Sequence, residues 1–145
     1  MILPAALAAS AGTAPAFRIS PQDTNYFAIL FDPETEGYAN ICVVEIFERG
    51  GATPPNSHRI AHEFFYVLQG EGVARCEGKA IPLAKGAALL LRPGAEHLIE
   101  NTGEGRLYTL TVMTPNEEFA ELIRSGESVK LDAEDLAVLT GVRTR

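Results

Sequence analysis

The sequence predicts an all-β fold, an antiparallel sandwich or barrel with one or two short α-helices at its C-terminal end. Three observations carry that expectation. Short apolar runs recur at roughly 8–12-residue spacing. Gly and Pro signals separate them, and no helical periodicity interrupts them before the last thirty residues. The third observation excludes an alternating βαβ arrangement.

Taken in order, residues 1–25 read as an N-terminal arm, 26–114 as the barrel and 115–145 as a helical segment of the same domain. The arm is Ala-rich and holds Ala9-Ser10-Ala11, yet it lacks the basic stretch of a leader and Pro4 interrupts its apolar run. It is expected to drape over the domain or a partner subunit. The expected strands are Tyr26–Phe31, Ile41–Phe47, Glu63–Leu68, Gly72–Cys76, Ala87–Leu91, His97–Asn101 and Leu107–Met113. Turn residues such as Asp32-Pro33, Gly50-Gly51, Glu77-Gly78 and Pro93-Gly94 punctuate them. Thr114-Pro115-Asn116-Glu117 has the form of a helix start, with Phe119, Leu122 and Ile123 as its apolar stripe. Asp132 starts a second helix, with Leu136 and Leu139 on one face and Gly141 as its stop. Both helices are expected to cover an open edge or end of the barrel.

Composition narrows the function. The chain has 145 residues, 46% hydrophobic, with 12 basic and 19 acidic side chains and a formal charge of -7. One domain with a sizeable core fits that length. The acidic balance argues against nucleic acid as a partner, which needs a surplus of Lys and Arg. No apolar run approaches the ~20 residues that span a bilayer, so no membrane role is expected and the cytoplasm is the default location. Cys42 and Cys76 stand alone, in no CxxC pair, and read as free buried thiols of a reducing compartment.

The three histidines, His58, His62 and His97, fall in the β region. Gly50, five residues, Asn56-Ser57-His58, four residues, Glu63, six residues and Gly70 form one block. Gly86, five residues, Arg92, one residue, Gly94, two residues, His97, three residues and Asn101 form another. These blocks resemble the two motifs of the cupin family, G-x5-HxH-x3,4-E-x6-G and G-x5-PxG-x2-H-x3-N. The resemblance implies a double-stranded β-helix, the jelly-roll barrel, and a metal held by His58, Glu63 and His97. Two positions depart from the pattern: Asn56 replaces the first histidine of HxH, and Arg92 replaces the proline. Period-2 geometry independently puts Asn56 with His58, Glu63 with Phe65 and Val67, and His97 with Ile99 and Asn101 on shared faces.

Two imidazoles and a carboxylate suit one divalent ion, Fe, Mn, Ni, Co or Zn, and leave open positions on it. Asn56 either ligates weakly or hydrogen-bonds a metal-bound water. The alternative is an empty polar pocket in which His58 and His97 bond Glu63 and water. His62 points outward or to the rim, or replaces Asn56 at the metal. Arg92 is either solvated or meets a substrate carboxylate. Phe65, Val67, Ile99, Tyr108 and Leu110 belong to the pocket wall or to the core. Phe64, Tyr66 and Leu68 face a second layer or a second copy, and the resemblance implies a homodimer.

The expected function is metal-dependent chemistry on a small, anionic organic ligand, dioxygenase-like as first choice. A non-catalytic metal- or ligand-binding module is the competitor. A metal-free epimerase type or a metal-dependent isomerase ranks below both. No phosphate loop, dinucleotide fingerprint, nucleophile elbow or HExxH helix is present.

Overall fold

The computed structural model describes residues 4–143. The outermost residues of the expected arm and helical segment lie outside that range. Ten strands are described: β1 Ala16–Arg18, β2 Asn25–Phe31, β3 Ile41–Phe47, β4 His62–Gln69, β5 Glu71–Cys76, β6 Lys79–Ala84, β7 Ala88–Leu91, β8 His97–Asn101, β9 Leu107–Thr114 and β10 Glu127–Val129. Three short helices join them: α1 Pro33–Glu36, α2 Phe119–Arg124 and α3 Ala133–Thr140. Seven strands form one sheet in the order β10-β1-β2-β3-β9-β4-β7, and β6-β5-β8 form the other. Every ladder is antiparallel. This is the antiparallel all-β fold that the sequence predicts, in the jelly-roll form that the resemblance implies.

Alternation along the strands decides what faces the interior. Phe47, Phe65, Val67, Ala74, Leu89, Ile99 and Leu107 pack between the two sheets. The opposite face of the large sheet buries Tyr26, Ala28, Val44, Ile46 and Tyr108 beneath Leu136 and Leu139 of α3. Isolated bridges Ala52↔Glu100 and Asn56↔His97 tie the segment between β3 and β4 to the small sheet. His58 is thereby held beside strands from both sheets.

The structure adds elements to the expected set. The arm region contributes β1, which pairs with β2 and β10. Strand β6 carries Pro82, tolerable because β6 lies at an edge of its sheet. Its hairpin with β5 turns through Glu77 and Gly78, with φ of 49° and 77°, the left-handed pair of a tight hairpin.

The first helix start is corrected. Thr114 ends β9 rather than capping a helix, and α2 begins only at Phe119. Glu117 and Glu118 sit in the left-handed region, at φ 51° and 65°. Asn116 supplies the cap instead, its Oδ1 accepting from the Ala120 amide at 2.8 Å. In α2, Ile123 and Ala120 are buried, but Leu122 is half-exposed at the mouth of the cavity. The second start is as expected: Asp132 and Asp135 form a capping box, and Gly141 ends α3 at φ 74°. Cys42 and Cys76 are free, but half-buried rather than fully buried, and burial raises the Cys42 thiol above its usual range.

Candidate metal centre

His97 opens β8, Glu63 lies near the start of β4, and His58 sits in the preceding loop. Their ligand atoms lie within 4.8 Å of one another. Glu63 Oε1 is 3.2 Å from His58 Nε2 and 3.0 Å from His97 Nε2. The imidazole centroids are 5.4 Å apart. Glu63 and His97 are buried, and His58 is nearly so.

Donor counting tests whether a cation suits this geometry. The Nδ1–H of His97 donates to the Ala95 carbonyl at 2.9 Å. In a neutral ring the Nε2 lone pair then faces a carboxylate oxygen, which is also only an acceptor. Two acceptors 3.0 Å apart need a positive charge between them, from a proton or a metal ion. Burial works to raise Glu63, yet the hydrogen bonds to His58 and His97 outweigh it and hold the carboxyl below its usual range. Burial works to lower His97, and the Glu63 and Ala95 bonds outweigh it and raise it. The carboxylate is therefore ionised and the donor set suits a hard or borderline divalent cation.

Glu117, which the sequence suggested only as part of a helix start, fixes the His58 loop from outside. Its carboxylate accepts from the backbone amides of Arg59 at 2.9 Å, Ala61 at 3.0 Å and Ile60 between them. Its Oε2 is also 4.0 Å from His58 Nδ1. Burial would raise this carboxyl, but the three amides hold it below its ordinary range.

The three candidate ligands open onto a cavity of about 540 Å³. Phe27, Phe65, Ile99, Phe119 and Leu122 give it an apolar wall, while Asn25, Glu45 and Asn56 supply polar groups. Asn56 donates its amide N–H to the Pro54 carbonyl at 2.9 Å. Phe65 and Ile99 serve core and cavity wall at once.

Three residues with a pocket role as one of two alternatives take the other, outside the cavity. His62 is exposed on the outer face of β4, because it alternates with Glu63. Arg92 is exposed after β7 and does not line the cavity. Tyr108 points to the other side of the large sheet, where its hydroxyl donates to Asp135 Oδ1 at 2.7 Å. Sequence reasoning also missed Asn25 and Glu45, both buried and both lining the cavity. The signal for Glu45 was a single acid inside the apolar run Ile41–Phe47.

Comparison with known proteins agrees with this architecture. The Cupin domain family matches residues 43–113. An oxalate-binding protein of Thermotoga maritima is 36% identical over 64 residues, 44% of this chain. That match spans 53% of the relative's length, so the two are alike over about half of it. The crystal structure of a predicted oxalate decarboxylase of Thermotoga maritima superposes with TM-score 0.66 at 26% identity, covering 74% of this chain and 97% of that one. A Cupin 2 conserved barrel domain protein of Salinispora arenicola superposes with TM-score 0.57 at 16% identity, covering 67% and 79%. At that identity the likeness is one of fold. No helix among the described residues is long and apolar enough to cross a membrane. Topology, motif positions and these matches converge on one assignment: residues 43–113 match the Cupin domain family, and the chain has the fold of a small cupin domain.

Proposed function

We propose that this cupin is metal-dependent and acts on a small organic anion, with a short carboxylate of the oxalate type as the ligand class. The observation that carries the reading is the convergence of His58, Glu63 and His97 within 4.8 Å at the wall of a mostly apolar cavity. These three side chains would hold the ion, with the neutral Asn56 lining the cavity where the family motif has a further histidine. A divalent ion bound there supplies Lewis acidity and open positions for ligand oxygens or dioxygen. The protein's own part is to orient the anion against the Phe27 and Phe65 side, exclude bulk water and keep His97 in one tautomer through Ala95. The names of the Thermotoga maritima matches support a carboxylate ligand. Dioxygenase-type turnover is the activity we assign first.

A second reading, a ligand-holding module without turnover, is favoured by the loss of one family histidine at Asn56. The two are separated by measurement. Protein purified without added metal is analysed for bound metals, then titrated calorimetrically with oxalate. About one ion per chain and saturable oxalate binding are expected, and His97→Ala should lose the ion while keeping the wild-type circular dichroism. Unchanged metal content in His97→Ala overturns the site. Oxygen uptake or carbon dioxide release with bound carboxylates distinguishes enzyme from module.

A second copy of the chain is the proposed macromolecular partner. Tyr66 and Leu90, 40% and 54% exposed, stand on the outer face of adjacent strands β4 and β7. Half-buried Phe64 lies directly opposite Leu90.

A further inference from the structure

The barrel interior holds a second carboxyl that the metal-ligating set does not use. Glu45, at the middle of β3, is 2% exposed and lines the same cavity as Glu63 and His97. Its cross-strand neighbours are Phe27 on β2 and Thr109 on β9. Its hydrogen-bond partners among the described residues are all neutral. Asn25 Nδ2 donates to Oε2 at 2.9 Å, and Thr111 Oγ1 is 3.4 Å from Oε1. Thr111 Oγ1 is 3.0 Å from Thr109 Oγ1, which is 3.3 Å from the Glu45 carbonyl oxygen.

No cationic side chain is among these hydrogen-bond partners, and a buried carboxyl without one gives up its charge rather than its proton. The surroundings act in the same direction. Burial pushes Glu45 up to about 8, repulsion from Glu63 adds to it, and the Asn25 and Thr111 bonds offset only part.

A neutral acid here has a consequence for what the cavity accepts. Ionised, Glu45 would add a second negative charge beside Glu63 and repel an anion. Protonated, it is a buried donor whose hydroxyl can face a ligand in the cavity.

We propose that Glu45 is a specificity-determining residue, a neutral acid that donates a hydrogen bond to the far oxygen of a small dicarboxylate or oxo acid whose near oxygens sit at His58, Glu63 and His97. This deepens the carboxylate reading of the site and rests on it. Ligands with oxygens at both ends are preferred over monocarboxylates of the same length.

The test uses manganese-loaded full chain and calorimetry with oxalate, malonate and acetate. Glu45→Leu should weaken oxalate or malonate about 10-fold relative to acetate, the value of one lost charge-assisted hydrogen bond, with metal content unchanged. Glu45→Gln, which keeps a neutral donor, should restore most of the preference. Should Glu45→Leu fail to fold, Glu45→Asp, which retracts the donor by one methylene, carries the same comparison. Infrared difference spectra between wild type and Glu45→Gln at pH 7 should show a protonated-carboxyl band that shifts when malonate binds. A variant that keeps the wild-type ratio, equal losses for all three ligands, or no such band overturns the inference while leaving the metal site intact. Wild type that binds neither dicarboxylate overturns the carboxylate reading, and this inference with it.

Discussion

At the residue scale the interior carboxyls have opposite fates within one cavity. Glu63 is drawn down by two imidazoles, while Glu45, among neutral partners, is pushed up to about 8. Folded Glu45 keeps its proton over a range where the unfolded chain, near 4.3, has lost it. Stability therefore falls as pH rises from about 4.3 to about 8 and levels above it, with a slope of at most about 1.4 kcal/mol per pH unit from this group. Urea melts of metal-free wild type and Glu45→Gln at pH 5 and pH 8 measure this. The variant should gain on the wild type toward pH 8, and parallel curves would refute the shifted carboxyl. Glu45 escaped the sequence reading because Ile41–Phe47 is buried on both faces of its strand, so alternation gave no contrast. His62 and Tyr108 show the converse: alternation relative to Glu63 and Thr109 already set their outward direction.

At the element scale the loops and helices hold side chains that strands alone would leave loose. Glu117 binds three consecutive amides of the His58 loop, a contact between residues 56 to 58 positions apart. Glu117→Ala should weaken metal binding about 10–100-fold, the usual range for groups that orient a ligand, measured by competition with a chromophoric chelator. An unchanged affinity would show that β4 alone positions the ligand. Asp135 fixes α3 in a comparable way. It accepts from Tyr26 and Tyr108 at 2.7 Å each and from Arg106 at 2.9 Å, and is itself 1% exposed. Asp135→Ala should cost about 1–3 kcal/mol for each phenol left without a partner, read from the shift in denaturant midpoint. The start of α3 was legible because its capping pair lies within one turn. The start of α2 was not, because Asn116 and Glu117 are recruited by contacts formed in the folded chain. Strands β1 and β10, three residues each, are too short for any periodicity and exist through pairing with one another.

At the scale of the whole molecule the large sheet is covered on its outer side by α3 near β2 and β3, and left open near β7. Strand β7 is the sheet's edge, and Leu90 and Tyr66 are exposed beside it. Edge strands with an apolar outer face call for cover. Light scattering should return twice the 15.6 kDa chain mass, and Leu90→Glu should shift the protein to monomer. A wild-type monomer at tens of micromolar would refute the pairing. The barrel was legible from its Gly- and Pro-bounded runs, and the two motif blocks fall where the folded chain brings His58, Glu63 and His97 together. The outer cover of β7 has no such mark, since apolar residues on a strand's second face look alike whether a helix or another chain meets them.

The three candidate metal ligands come from different layers of the barrel. Glu63 belongs to the large sheet, His97 to the small one, and His58 to the segment clipped between them. A cation held by all three would rivet the two layers together, and an unfolded chain would have no comparable grip on it. Heat tolerance and occupancy are then one equilibrium viewed from two sides: each decade of free ion above the dissociation constant adds about 1.4 kcal/mol against melting. Stripping the ion with a chelator would part the layers at a lower temperature, however little the resting architecture changed.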